Sequence, residues 1–141
     1  MIKDAYILMD HIINELNIKE QKIIIIGRSI GSGIACELSH KYTNIRALVL
    51  LSAFTSLCDV IKGLSFNFVG NIVKERFRNL DKIKNITCPT LIIHGKDDKL
   101  ISTDHSIKLM NACAGIVDLK LFEGMTHNSF IMQIHIIEPI R

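Results

Sequence analysis

At 141 residues the chain has the size of one domain, long enough to bury a core. Hydrophobic residues make up 48% and charged residues 22%, which excludes a disordered chain, and a net charge of +3 is too small to argue for a nucleic-acid partner. Cys36, Cys58, Cys88 and Cys113 are widely spaced with no Cys-x-x-Cys pair, matching neither a zinc site nor a secreted disulfide framework.

Ala5, Leu8, Met9, Ile12 and Leu16 recur at helical spacing and predict an amphipathic helix over residues 4–17. Asp4 and Asp10 break the apolar stretch, and no small-residue cleavage site follows, so a signal peptide is not expected. No apolar run approaches the ~18 residues of a membrane span, and the expected location is the cytoplasm and its membrane surfaces. Lys22 to Ile26 is a β-branched run without polar alternation, which reads as a strand buried on both faces. After the loop Gly27 to Gly33, Ile34, Ala35 and Leu38 begin a second helix, and Ala47 to Leu51 is a second apolar strand. Residues 54–86 are mixed, with short helices expected around Val60 to Leu64 and Val69 to Phe77. The basic segment Lys74 to Lys84 is interrupted by Glu75, Phe77, Leu80 and Asp81 and reads as a solvated helix face.

Pro89 opens a third buried strand, Thr90 to Ile93. Ser102 is a candidate N-cap, with Asp104 in the first turn of a helix running to about Cys113. Val117, Leu119 and Leu121 alternate with Asp118 and Lys120, as in a strand with one wet face near a sheet edge. A short apolar helix after Asn128 closes at Pro139. Alternating helices and strands give an α/β fold with a mostly parallel sheet and flanking helices.

The loop IIIIGRSIGSG admits two readings. As a glycine-rich turn it would cradle a dinucleotide, which needs an acid at the end of the next strand. That strand ends in Ser52 and Ala53, and neither Tyr6 nor Tyr42 is followed four residues on by lysine, as a short-chain dehydrogenase requires. No cofactor is expected. As Gly-x-Ser-x-Gly the loop is a tight turn that lifts the Ser29 hydroxyl above the sheet, with Gly27 and Gly31 where side chains would collide. Ser32 falls inside the first helical turn and lacks that glycine frame.

A serine nucleophile needs a base, and the base an orienting acid. In a doubly wound sheet these stand at the carboxyl ends of strands. HGKDDKLI follows the third strand and supplies Asp97 or Asp98, while GMTHN follows the fourth and supplies His127. The alternative is a serine-containing turn with unrelated acid and histidine.

GRSIGSG, HGKDDKLI and GMTHN resemble the nucleophile elbow, acid loop and histidine loop of the α/β-hydrolase superfamily, and the resemblance spans nearly the whole chain. The elbow, DKIKNITCPTLIIHG and the short middle region are most similar to the small-lidded serine hydrolases, which include protein S-depalmitoylases and serine-aminopeptidase-like relatives. The resemblance implies Ser29 as nucleophile, Asp98 as acid and His127 as base. It selects Asp98 over Asp97 because the family's acid lies three residues after the glycine. Ser102 stands where a proline often closes the family's acid loop.

The resemblance also implies a first half of the sheet before the elbow, including a loop that gives one of two oxyanion-binding N–H groups. The expectation is therefore a single domain over residues 1–141 holding the C-terminal portion of the fold. Ile30 would offer one oxyanion donor, and the first strand would keep an open edge inviting self-association.

The implied activity is hydrolysis of an ester or thioester, with a lipidated protein as the leading substrate. The rival is a non-catalytic protein acting through protein contacts. Leu64, Phe66, Phe68 and Val69 would line an acyl groove or pack under the sheet. His94 reads as a structural hydrogen-bonding residue, Cys36 as core, and His11, His40, His105 and His135 as surface; no metal site is expected.

Overall fold

The computed structural model describes residues 1–63 and 77–140. Helix α1 (Ile2–Asp10), extended by a π-helical turn (His11–Glu15), leads to strand β1 (Ile24–Arg28) and helix α2 (Ile30–Lys41). Strand β2 (Ala47–Leu51) is followed by the short helices α3 (Leu57–Gly63) and α4 (Asn79–Ile83). Strand β3 (Thr90–Gly95), helix α5 (Thr103–Ala112) and strand β4 (Val117–Phe122) follow. A π-helical turn (Gln133–Ile137) and the last short helix, α6 (Glu138–Ile140), complete the order.

The four strands form one parallel sheet in the order β1-β2-β3-β4, so each crossover moves one strand along. Central strand β2 buries both faces. Leu48 and Leu50 point into a core with Ile25, Ala35, Cys36, Ile83, Ile92 and Leu109, under α1, α2, α4 and α5. Val49 and Leu51 point the other way, against Ile93, Met125 and Ile136 of the C-terminal segment.

Several expectations change in detail. The first strand begins two residues late, because Glu20–Lys22 forms a 3₁₀ turn. It is an outer strand, and only Ile25 and Gly27 are buried. Ile24 and Ile26 remain 41% and 56% exposed, since the C-terminal segment covers β2 and β3 but does not reach them. In α1, Met9 enters the core with Ala5 and Tyr6 beside it, whereas Leu8 is exposed, as is Leu16 beyond the helix. Helix α4 falls within the stretch read only as mixed, and the groove candidates Leu64, Phe66, Phe68 and Val69 lie outside the described residues. So does most of the helix expected over Val69 to Phe77, along with the start of the basic segment. Ser102 caps α5 as its position suggests, its Oγ accepting the Asp104 N–H at 3.2 Å.

The two elbow glycines are not equivalent. A Cβ on Gly27 would lie 2.5 Å from the Ala35 Cβ and 2.6 Å from the Gly31 carbonyl oxygen, so β1 and α2 can meet only over a hydrogen. A Cβ on Gly31 meets nothing within 4 Å among the described residues, contrary to the collision expected there. Gly27→Ala should therefore lower stability by about 1–3 kcal/mol through overpacking. Gly31→Ala, in the first turn of a helix, should be near neutral in the same urea titration.

Candidate active site

Ser29 joins β1 to α2 with φ 51° and ψ −121°, a left-handed conformation rarely adopted by a residue with a side chain. Such strain costs on the order of 1–3 kcal/mol and persists only where neighbours over-determine it. Here the Ser29 N–H donates to the Leu51 carbonyl at 3.0 Å. The Ser29 carbonyl accepts from the Ser32 N–H at 2.9 Å and the Ser32 hydroxyl at 2.6 Å. Buried Asn79 of α4 backs this arrangement, donating to the Phe54 carbonyl at 2.9 Å and to Ser32 Oγ at 3.4 Å. Ser32 thus supports the turn that Ser29 occupies. Ile30 is the first residue of α2, so its N–H has no partner within the helix and stands beside the serine.

Three loops at the carboxyl ends of β1, β3 and β4 bring Ser29, Asp98 and His127 together. His127 Nδ1 lies 2.8 Å from Asp98 Oδ2, and His127 Nε2 lies 3.0 Å from Ser29 Oγ. An ionised carboxylate only accepts, so Nδ1 carries the proton and the Nε2 lone pair faces the serine hydroxyl. Asp98 Oδ1 accepts the N–H groups of Leu100 and Ile101, each at 2.9 Å. Burial pushes the Asp98 carboxyl up, but the Ile101 N–H, His127 and the Leu100 N–H outweigh it and hold it below the usual carboxylate range.

Fully buried His94 underpins this acid loop. Its Nε2 lies 2.9 Å from the Ile101 carbonyl, which can only accept, so that nitrogen carries the proton. Nδ1 then accepts from Ser106 Oγ at 2.7 Å, and Asp98 Oδ2 is 3.4 Å from Nε2. Asp97 takes a different place. It is exposed, and its Oδ2 accepts the Gly124 N–H at 2.7 Å, tying the acid loop to the histidine loop. Gly95 makes their crossing possible, since a Cβ there would sit 1.9 Å from the Met125 carbonyl oxygen.

Two of the histidines read as surface residues are only partly exposed. His105 Nδ1 accepts from the Thr55 N–H at 3.3 Å and lies 2.9 Å from Thr55 Oγ1, fastening the loop after β2 to α5. His135 Nδ1 accepts the Ile131 N–H at 2.9 Å. Burial pushes the pKa values of both His94 and His105 down. As pH falls below about 6.5, the unfolded chain takes up protons that these folded histidines resist, so stability is lost on acidification. Asp98 acts lower, keeping its contribution until pH falls below about 4 and through its own depressed value. Urea midpoints should therefore decline from pH 7 to 5, and His94→Gln with His105→Gln should flatten that decline.

The space around the relay is divided. On one side Ser29 opens onto a small cavity of about 120 Å³ lined by Ile30, Phe54, Leu57, Val60, Leu100 and Ile101. On the other, His127 borders an open groove of about 480 Å³ with Asp97, Lys99, Thr126 and Asn128, and Leu100 divides the two. A larger cavity of about 610 Å³, by Met1, Glu37 and Lys82, touches none of these residues and has no comparable relay. Among the described residues, no cluster of His, Cys, Asp or Glu is arranged to hold a metal ion, and no helix is long and apolar enough to cross a membrane.

A parallel sheet with helices on both faces and this hydrogen-bonded relay at its carboxyl edge define an α/β hydrolase. The family profile described as "Serine aminopeptidase, S33" matches residues 56–131, more than half of the chain, which belongs to that family. Alpha/beta hydrolase domain-containing protein 17B of Homo sapiens is 34% identical over 116 residues, covering 79% of this chain and 37% of that protein. Alpha/beta hydrolase domain-containing protein aho-3 of Caenorhabditis elegans is 29% identical over 131 residues, covering 91% of this chain and 37% of its own length. The chain thus spans under two fifths of each of these relatives. Among solved structures, acetyl xylan esterase from Paenibacillus sp. R4 superposes with a TM-score of 0.78 at 13% identity, covering 97% of this chain and 50% of that one. A puromycin hydrolase superposes at 0.74 and 14% identity, covering 91% and 22%. These two likenesses show the fold.

Proposed function

We propose that the chain carries the acyl-transfer centre of a serine hydrolase that cleaves an ester or thioester. The supporting observation is the Ser29–His127–Asp98 relay with its tautomer fixed. Ser29 Oγ attacks the substrate carbonyl carbon as His127 Nε2 takes its proton, and Asp98 stabilises the resulting imidazolium. The Ile30 N–H donates to the oxygen on which negative charge develops. Collapse breaks the bond to the leaving alkoxide or thiolate, which receives the proton from His127. Water then repeats the sequence on the acyl-enzyme and releases the acid and free Ser29.

The divided surroundings suit such a substrate. The apolar cavity beside Ser29 takes the start of an acyl chain, and the open polar groove beside His127 takes the leaving group. An open groove admits a bulky leaving group, so a lipidated cysteine on a protein is the leading physiological substrate. The resemblance of the elbow and acid loop to the branch holding protein S-depalmitoylases supports the same choice.

A fluorophosphonate probe tests the reaction. It should label the full-length protein and not its Ser29→Ala variant, and no labelling of a folded sample would favour a non-catalytic protein acting through contacts. A labelled enzyme that cleaves peptides but neither acyl esters nor acyl thioesters would overturn the substrate class.

A further inference from the structure

His127 reaches Ser29 from the opposite side of the sheet. β1 and β4 are the outer strands, three inter-strand spacings apart, or about 14 Å. The loop after β4 must therefore lean over β3 and β2 before its imidazole meets the serine. Asp98 fixes the far nitrogen of the ring, and Asp97 holds the start of the loop through the Gly124 N–H and the Met125 carbonyl, but these bonds leave the backbone at His127 free to lift away from the elbow.

Arg28, next to the nucleophile, closes that freedom. Its guanidinium donates to the backbone carbonyl of His127 itself, and Nη2 donates to Asn128 Oδ1 at 3.0 Å. Its Cζ lies 5.2 Å from the centre of the Phe130 ring. One side chain of the elbow thus engages three residues of the histidine loop, about a hundred positions away in sequence. The side-chain alternation of β1 makes this possible. Gly27 faces the helix layer and Arg28 the opposite face, where the C-terminal segment passes.

We propose that Arg28 is a positioning residue that clamps the histidine loop to the elbow and sets the placement of His127 over Ser29. The proposal rests on the reading of Ser29 as nucleophile. Arginine suits the task because its planar fork offers several donors and a flat face at once. Lysine has donors enough for both oxygens, since here both bonds leave from the one nitrogen Nη2, but it lacks the flat face that lies over Phe130.

The test uses the full-length protein with Arg28→Ala, Arg28→Gln and Arg28→Lys. Labelling of Ser29 by a fluorophosphonate should slow by about 10–100-fold in Arg28→Ala and Arg28→Gln, the scale expected when a catalytic group is displaced by about 1 Å. Arg28→Lys should fall between these and the wild type. With a p-nitrophenyl ester the loss should appear in kcat, with KM little changed. The downfield Nδ1–H resonance of His127 should shift or broaden in Arg28→Ala while the thermal midpoint stays close to wild type. Wild-type labelling and an unchanged His127 resonance in Arg28→Ala would overturn the proposal. So would a loss that merely follows the unfolded fraction, with lysine no better than alanine. Should the wild type itself fail to label, the hydrolase reading falls, and the His127 resonance alone still decides whether Arg28 holds the loop.

Discussion

Ser29→Ala and His127→Ala should each remove on the order of 10⁴–10⁶-fold of ester turnover, and the double variant should be little worse than either. The reason is geometric. Ser29 Oγ and His127 Nε2 are 3.0 Å apart, and in the proposed mechanism each needs the other for the proton transfer that accompanies attack. Asp98→Asn should lose about 10⁴-fold, because an amide can donate to Nδ1 and so favours the tautomer with its proton on Nε2, facing the serine. The amide oxygen of that variant can still accept the Leu100 and Ile101 N–H groups, so the loss falls on the imidazole. Asp97→Asn should be mild, since its carboxylate holds the Gly124 N–H and makes no contact with the imidazole. Steady-state kinetics on an activated ester separates the two acids. If Asp97→Asn does the greater damage, the assignment of Asp98 is wrong.

The 141-residue chain expressed by itself should self-associate at micromolar concentrations, by way of β1. Ile23 and Ser29 bond on the β2 side, through Arg46 N–H to the Ile23 carbonyl at 2.9 Å and Ser29 N–H to the Leu51 carbonyl at 3.0 Å. Strand alternation turns the N–H and C=O groups of Ile24, Ile26 and Arg28 the opposite way, along the outer edge. The exposed isoleucines on the same strand add apolar surface beside those groups, which pair with no strand among the described residues. An apolar outer strand without proline or an inward charge is a template for another strand. Light scattering after gel filtration should find species larger than the monomer. An Ile24→Lys/Ile26→Lys variant should shift them toward the monomer without loss of helical signal. A wild-type chain that stays monomeric at high concentration would sink this expectation.

The sheet was legible because its first three strands hold β-branched or leucine-rich runs and the fourth alternates apolar with charged residues, and Ala47–Leu51 shows the same bounds in sequence and structure. The meeting of Ser29, Asp98 and His127 was legible because each stands in a short patterned loop just after a strand. What the sequence hid were partners without a pattern. Arg28 occupies a position of Gly-x-Ser-x-Gly where the motif sets no residue type, so its bonds to His127 and Asn128 appear only in three dimensions. Ser32 and Asn79 meet across 47 positions, through a hydrogen bond that no periodicity announces. The two-faced burial assigned to β1 failed because an apolar run does not reveal whether a neighbour covers each side. His105 was misjudged for a related reason. A helix position says little about a loop that folds down onto it.

The relay ties the first strand of this sheet to the loop beyond the last, with Ser29 and His127 separated by 98 positions. During synthesis the serine emerges long before its base, and no partial sheet can hold the two within reach. Contacts of such sequence separation form late and slow the approach to the native state. In the proposed mechanism, a chain that has not yet brought His127 to Ser29 has no base for its serine. The onset of fluorophosphonate labelling during refolding should then mark the meeting of the elbow with the histidine loop.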